Sequence, residues 1–139
     1  MGIFLALDYG EKRTGIAVTD INKTIAFGLT ALSTNEVIPY LIKYCEINLI
    51  EKFIIGHPKK HNNSESLVER KIKYFIKKLN LSLPKIPVVR HDERFTSKIA
   101  YNAILESGVN KRKRQDKFIV DKVSATILLQ SYLSIHNNT

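Results

Sequence analysis

Apolar and polar positions along this chain fall into runs whose period changes from one segment to the next. Ile3 to Leu7 are consecutive apolar residues bounded by turn signals, the pattern of a central strand buried on both faces. Gly15 to Val18 reads as a second strand and Thr24 to Leu32 as a third, with Gly28 marking a bulge. Asp20-Ile-Asn-Lys23 is the turn between them, so the three strands form an antiparallel meander. Ser33-Thr-Asn starts a helix over Val37 to Ile47, with Pro39 in its first turn, where no backbone hydrogen bond is lost. Phe53 to Gly56 is a short fourth strand, followed by a polar loop to Ser64. Ser66 and Glu69 have capping-box spacing, and Leu67/Val68, Ile72, Phe75/Ile76 and Leu79 trace one face of an amphipathic helix. Pro87 to Arg90 is a fifth strand. Thr96 or Ser97 can cap a helix to about Ser107, ended by Gly108, and a last helix runs from about Ile119 to Ser134.

The order βββ-α-β-α-β-α-α joins an antiparallel meander to two parallel strands through helical crossovers. The expected fold class is therefore α/β, with a mixed five-stranded sheet flanked by helices. At 139 residues the chain is expected to be one domain spanning 1–139, without an internal repeat. Its 44% hydrophobic and 25% charged residues are those of an ordinary globular protein, which excludes disordered and fibrous classes. Lys and Arg number 22 against 13 Asp and Glu, a formal net charge of +9, and that excess favours a polyanionic partner such as nucleic acid. Cys45 is the sole cysteine, so no internal disulfide can form, which fits a reducing compartment. No uninterrupted apolar run reaches the roughly 18 to 20 residues of a membrane span. The N-terminus lacks the basic region and cleavage site of a signal peptide. The expectation is a cytoplasmic protein without a membrane partner.

Acidic positions at the ends of apolar elements supply the candidate chemistry. Asp8 ends the first strand, and Asp92 and Glu93 follow the fifth, which should run parallel to the first. Parallel strands end on one edge of a sheet, so these carboxylates can converge there. Asp121 shares a helical stripe with Ala125, Leu128/Leu129 and Tyr132, and an acid in a core-facing stripe needs a polar partner. Converging carboxylates repel unless a cation lies between them. Oxygen ligands without cysteine or clustered histidine suit Mg²⁺ or Mn²⁺. Two such ions roughly 3.5 to 4 Å apart can activate water and stabilise the leaving oxygen in phosphodiester hydrolysis. Taken singly, Asp8 could instead cap a turn, Asp121 could answer a helix dipole, and Glu93 could pair with Arg94 or Arg13.

Four stretches carry a resemblance over nearly the whole chain: Asp8-Tyr-Gly-Glu-Lys-Arg-Thr-Gly-Ile-Ala, Ile54-Ile-Gly-His-Pro, Asp92-Glu-Arg-Phe-Thr-Ser and Asp121-Lys-Val-Ser-Ala-Thr-Ile-Leu-Leu-Gln-Ser-Tyr-Leu. In this order and spacing they resemble the motifs of the YqgF family, Holliday-junction-resolvase-like proteins regarded as nucleases that process the 5′ end of precursor 16S ribosomal RNA. The resemblance implies a ribonuclease-H-like fold, with Asp8, Glu93 and Asp121 matching the family's catalytic acids, and a role in ribosome biogenesis. The chain departs from the pattern in the loop His57-Pro-Lys-Lys-His-Asn-Asn63 and at Ser124, which replaces an alanine.

Basic residues complete the set. Lys12 and Arg13, in the turn after Asp8, can hold a scissile phosphate, Arg13 by a bidentate contact. Arg94 can pair with Asp92 or orient phosphate. Lys111, Arg112, Lys113 and Arg114 form the densest positive run, suited to backbone phosphates without sequence readout. His57 and His61 have the separation of helical metal ligands, but Pro58 and the loop context argue against that use. The partner is expected to be structured RNA or branched DNA, and the protein a monomer or weak homodimer. A junction resolvase, an ATP-binding fragment of the actin-like superfamily and a non-catalytic RNA-binding assembly factor are the competing readings.

Overall fold

In the computed structural model, which describes residues 2–58, 67–92 and 116–136, the predicted central run does occupy the middle of a sheet. Along the chain run β1 (Ile3–Asp8), β2 (Arg13–Thr19), β3 (Ala26–Ser33), a 3-10 turn (Thr34–Glu36), α1 (Val37–Ile47) and β4 (Ile50–His57). They are followed by α2 (Leu67–Ser82), β5 (Val88–Asp92) and α3 (Lys117–His136). The strand order is β3-β2-β1-β4-β5. β1 and β2, and β2 and β3, pair antiparallel, while β1 with β4 and β4 with β5 pair parallel. This is the expected meander plus two parallel strands. The predicted bulge is present too: Ile16 faces Thr30 and Ala17 faces Gly28, so Leu29 is skipped.

Alternation along each strand divides the core into two layers. Leu5 and Leu7 of β1, Ile16, Phe53 and Ile55 point to one face and pack with Val37 and Leu41 of α1 and Ile72, Phe75 and Leu79 of α2. Each such side chain contributes on the order of 1.5–3 kcal/mol when fully buried. The opposite face carries Ala6, Ala17 and Ile54 against Ala125, Leu128, Leu129 and Tyr132 of α3. Small residues on this second face bring α3 unusually near the strands. A Cβ on Gly28 would lie 2.7 Å from Lys122 Cγ, and one on Gly15 would lie 1.9 Å from the Asp121 carbonyl oxygen. Helix α3 therefore rests on bare backbone at these two points.

Several expectations need correction. β2 begins at Arg13 and β5 runs on to Asp92, so Arg13 and Asp92 are strand residues and not part of the flanking turns. No glycine among the described residues has a positive φ, Gly10 in the turn after β1 included. Its hydrogen is needed for space: a Cβ there would lie 2.3 Å from the Arg13 carbonyl oxygen. Lys23 instead adopts the left-handed region, at φ 58°, in the Asp20 turn. The carboxylate of Glu69, read from the sequence as half of a capping box with Ser66, reaches across to Arg90; Ser66, and with it the capping box, lies outside the described residues. Finally, α3 is long and apolar enough by composition to cross a membrane. Asp121, Lys122 and Gln130 interrupt its apolar run, which is why counting consecutive residues missed it. It is packed on the sheet through its buried stripe, as the core helix of a globular protein is. The expected helix from Thr96 to Ser107 lies outside the described residues.

Candidate active site

The turn after β1 is fixed by side-chain and backbone bonds to the 3-10 segment. Thr34 donates its hydroxyl proton to the Gly10 carbonyl at 2.6 Å and its backbone N–H to the Lys12 carbonyl at 2.9 Å. With that proton committed, the Thr14 hydroxyl must donate to Thr34 Oγ1, 2.9 Å away. Residues 9–12 are thus tied down between Asp8 and Arg13, with the Lys12 side chain exposed.

Asp8 follows Ala6 by two residues, so strand alternation directs it to the α3 face. Directly opposite it in the β1–β2 pairing stands Gly15, the residue whose missing Cβ admits the Asp121 backbone. Asp8 and Asp121, distant in sequence, are in this way brought to one face at one end of the sheet. Arg13 lies on the same face of β2 as Gly15, and its Nε donates to Asp121 Oδ2 at 2.7 Å. That bond is the polar partner expected for an acid in the core stripe. The two side chains are about a quarter exposed, so solvent partly screens the pair. The Arg13 guanidinium also stands 6.0 Å from the Phe118 ring centre.

The parallel strands bring the third region to the same edge. Leu7 pairs with Ile55 and Ile55 with Arg90, so Asp8, Gly56 and His91 stand at one level and Asp92 one step beyond. β1 and β5 are separated only by β4, a gap of roughly 9–10 Å at the usual strand spacing. Gly56 carries no side chain into that gap. Glu93 is bonded to Asp92 but lies outside the described residues, as do Arg94 and the basic run Lys111, Arg112, Lys113 and Arg114. Among the described residues no group of three histidine, cysteine or acidic side chains stands together.

Sequence reasoning missed a buried ion pair behind this edge. Glu69, 2% exposed, accepts from Arg90 Nη1 at 2.8 Å and Nη2 at 2.7 Å. Arg90 also donates Nη2 to the Gly56 carbonyl at 2.7 Å and Nε to the Ile55 carbonyl at 3.3 Å. His57 Nε2 lies 3.4 Å from Glu69 Oε2. Burial pushes the Glu69 carboxyl up, but the Arg90 bonds and charge, with His57 and Lys73, hold it below its ordinary value. The signal was present: Glu69 lies one turn before Ile72 on the apolar stripe of α2, and Arg90 follows directly on the apolar pair Val88-Val89 within β5. His57 therefore packs on a carboxylate and is not a helical metal ligand; His61 lies outside the described residues. On the α3 face, burial and the His136 charge push His91 below its usual value against Asp92, while its Nε2 meets Ser131 Oγ at 3.0 Å.

With this geometry in view, comparison with known proteins is informative. The model of the RuvX family, described as Holliday junction resolvase, matches residues 2–135. The chain belongs to the RuvX family. Its relatives include a protein of Phocaeicola vulgatus, 50% identical over 133 residues, covering 96% of each chain. Another, from Porphyromonas gingivalis, is 48% identical over 133 residues, again 96% of each. Both carry the name "Putative pre-16S rRNA nuclease". Among solved structures, Thermus thermophilus RuvC in complex with a Holliday junction substrate superposes with a TM-score of 0.62 at 9% identity, covering 100% of this chain and 98% of that one. At that identity the likeness concerns the fold, and the RuvX chain has the RuvC-like ribonuclease H fold. The YqgF resemblance and the fold class read from the sequence are thereby borne out.

Proposed function

We propose that this RuvX protein is a divalent-metal-dependent nuclease that hydrolyses phosphodiester bonds of structured RNA, with precursor 16S ribosomal RNA as its substrate. The observation that carries the reading is the chain of contacts from Asp8 across Gly15 to Asp121, at the sheet edge where β5 delivers the sequence Asp92-Glu93. The relatives' shared name supports the RNA substrate.

Asp8, Asp121 and Glu93 are the residues that would hold Mg²⁺ or Mn²⁺. Their all-oxygen donor set fits a hard cation, and Gly15 puts no side chain between β1 at Asp8 and the Asp121 backbone. When bound, such ions supply a water of lowered pKa and neutralise charge on the leaving oxygen. Arg13 keeps Asp121 oriented in the absence of substrate, and its remaining guanidinium N–H groups are placed to receive a phosphate oxygen. Lys12, exposed beside it, adds a second cation. Arg94 and Lys111 to Arg114 serve the flanking backbone phosphates. The net charge of +9 draws the polyanion in without sequence preference.

The family description favours a second reading, resolution of four-way DNA junctions. A single assay separates the two: precursor 16S RNA and a four-way junction are presented side by side with Mg²⁺, Mn²⁺ or EDTA. Cleavage of the RNA with either ion, and none in EDTA, is the expected result. Cleavage of the junction alone would transfer the assignment to DNA, and cleavage that persists in EDTA would end the metal reading.

A further inference from the structure

Phe118, on the first turn of α3, is 46% exposed and belongs to neither core layer. The turn that presents it is well built. Asp116 Oδ1 accepts the Phe118 N–H at 3.0 Å and the Ile119 N–H at 3.4 Å, which caps the helix and holds the backbone that carries the ring. Between this turn and β3 lies a groove of about 170 Å³ lined by Leu29, Thr30, Ala31, Phe118, Ile119 and Lys122. It is smaller than the roughly 300–1,000 Å³ of a pocket for a drug-sized ligand, so it suits one planar ring and not a whole cofactor.

Charge decides what kind of ring. Arg13 approaches the Phe118 ring and at the same time bonds Asp121, and Lys122 lines the groove. A half-exposed aromatic ring with one cation over it and a second lining the groove, within one helical turn of a candidate catalytic carboxylate, complements a base whose own phosphate lies beside it.

The geometry points to a nucleobase subsite: a base of an unpaired strand stacks on Phe118 in the groove between β3 and α3, while Arg13 and Lys122 take its neighbouring phosphates. Stacking of this kind tolerates any base, since each has a π-face, and it requires that the base be free of a duplex. The subsite therefore selects for a single-stranded segment next to the scissile bond. It rests on the nucleic-acid reading above and extends it from substrate class to substrate conformation.

Binding measured in EDTA tests the subsite without cleavage. The probes are a fluorescein-labelled single-stranded RNA of about ten nucleotides, its DNA counterpart, and the matching duplexes. Phe118→Leu keeps the apolar bulk but removes the ring, and should weaken single-strand binding roughly 5- to 150-fold, the value of one stacked base, with little change for duplexes. Phe118→Tyr should bind like the wild type. Because the chain has no tryptophan, Phe118→Trp creates a sole reporter whose fluorescence an oligonucleotide should quench. Loss on RNA alone assigns the subsite to RNA, and loss on both assigns it to unpaired strands of either kind. Unaltered binding by Phe118→Leu, or equal loss on duplexes, would overturn the subsite. A change of oligomeric state in that variant would overturn it too, by giving the ring to a second copy of the chain. Quenching in EDTA without cleavage in Mg²⁺ or Mn²⁺ would keep the subsite while contradicting the nuclease.

Discussion

At the residue scale, what a side chain leaves out matters as much as what it brings. Gly15 has no role in the core layers, yet it fixes the separation of Asp8 from Asp121 because the helix backbone occupies the place of its Cβ. Gly15→Ala should therefore cost at least the upper end of the ~1–3 kcal/mol usual for overpacking, since a backbone carbonyl cannot rotate away. Gly28→Ala meets the Lys122 side chain first, which can move, and should cost less. Urea unfolding of both variants checks this, and equal losses would contradict the account of Gly15. A glycine inside a strand, as at Gly15, marks a point of close approach but not what approaches. That choice belongs to tertiary packing, which no local pattern encodes. The same holds for Gly10, whose use is room for the Arg13 carbonyl and not a left-handed turn.

At the scale of elements, the Glu69–Arg90 pair ties α2 to the ends of β4 and β5, just where the chain passes toward the candidate site. Removing one partner of a buried pair leaves the other charge uncompensated, at a cost of about 3–5 kcal/mol. Glu69→Gln should accordingly lower the melting temperature markedly at pH 7. The pH dependence has a definite sign. The Glu69 carboxyl is held below its ordinary value of 4.5, so its contribution is fully present above that pH and is lost as pH falls through the lower folded-state value. The stability gap between wild type and Glu69→Gln should thus narrow in acid. Thermal melts at pH 7 and below pH 4.5 would show it, and a gap of constant size would mean that the pair contributes through packing alone. Element type and order were legible beforehand because each apolar run had its period; α1, Val37 to Ile47, was placed to the residue. Element ends were less so, as at Arg13 and Asp92, because sheet pairing extends a strand past its apolar core. The buried pair was hidden because capping-box spacing already gave Glu69 a local role, and no local pattern points to Arg90 on a distant strand.

At the scale of the whole molecule, one topological fact makes a site possible: β1, β4 and β5 run parallel, so residues eight, fifty-six and ninety-one stand level at one edge. The chain as a whole carries a net charge of +9, which favours the approach of a polyanion to that edge. The central claim is that Asp8 serves chemistry and not folding or binding. Wild type and Asp8→Asn are to be compared for Mg²⁺-dependent cleavage of precursor 16S RNA and for affinity toward the same RNA in EDTA. The account predicts that the variant folds, binds the RNA about as well as wild type, and no longer cuts it; cleavage at the wild-type rate would contradict it.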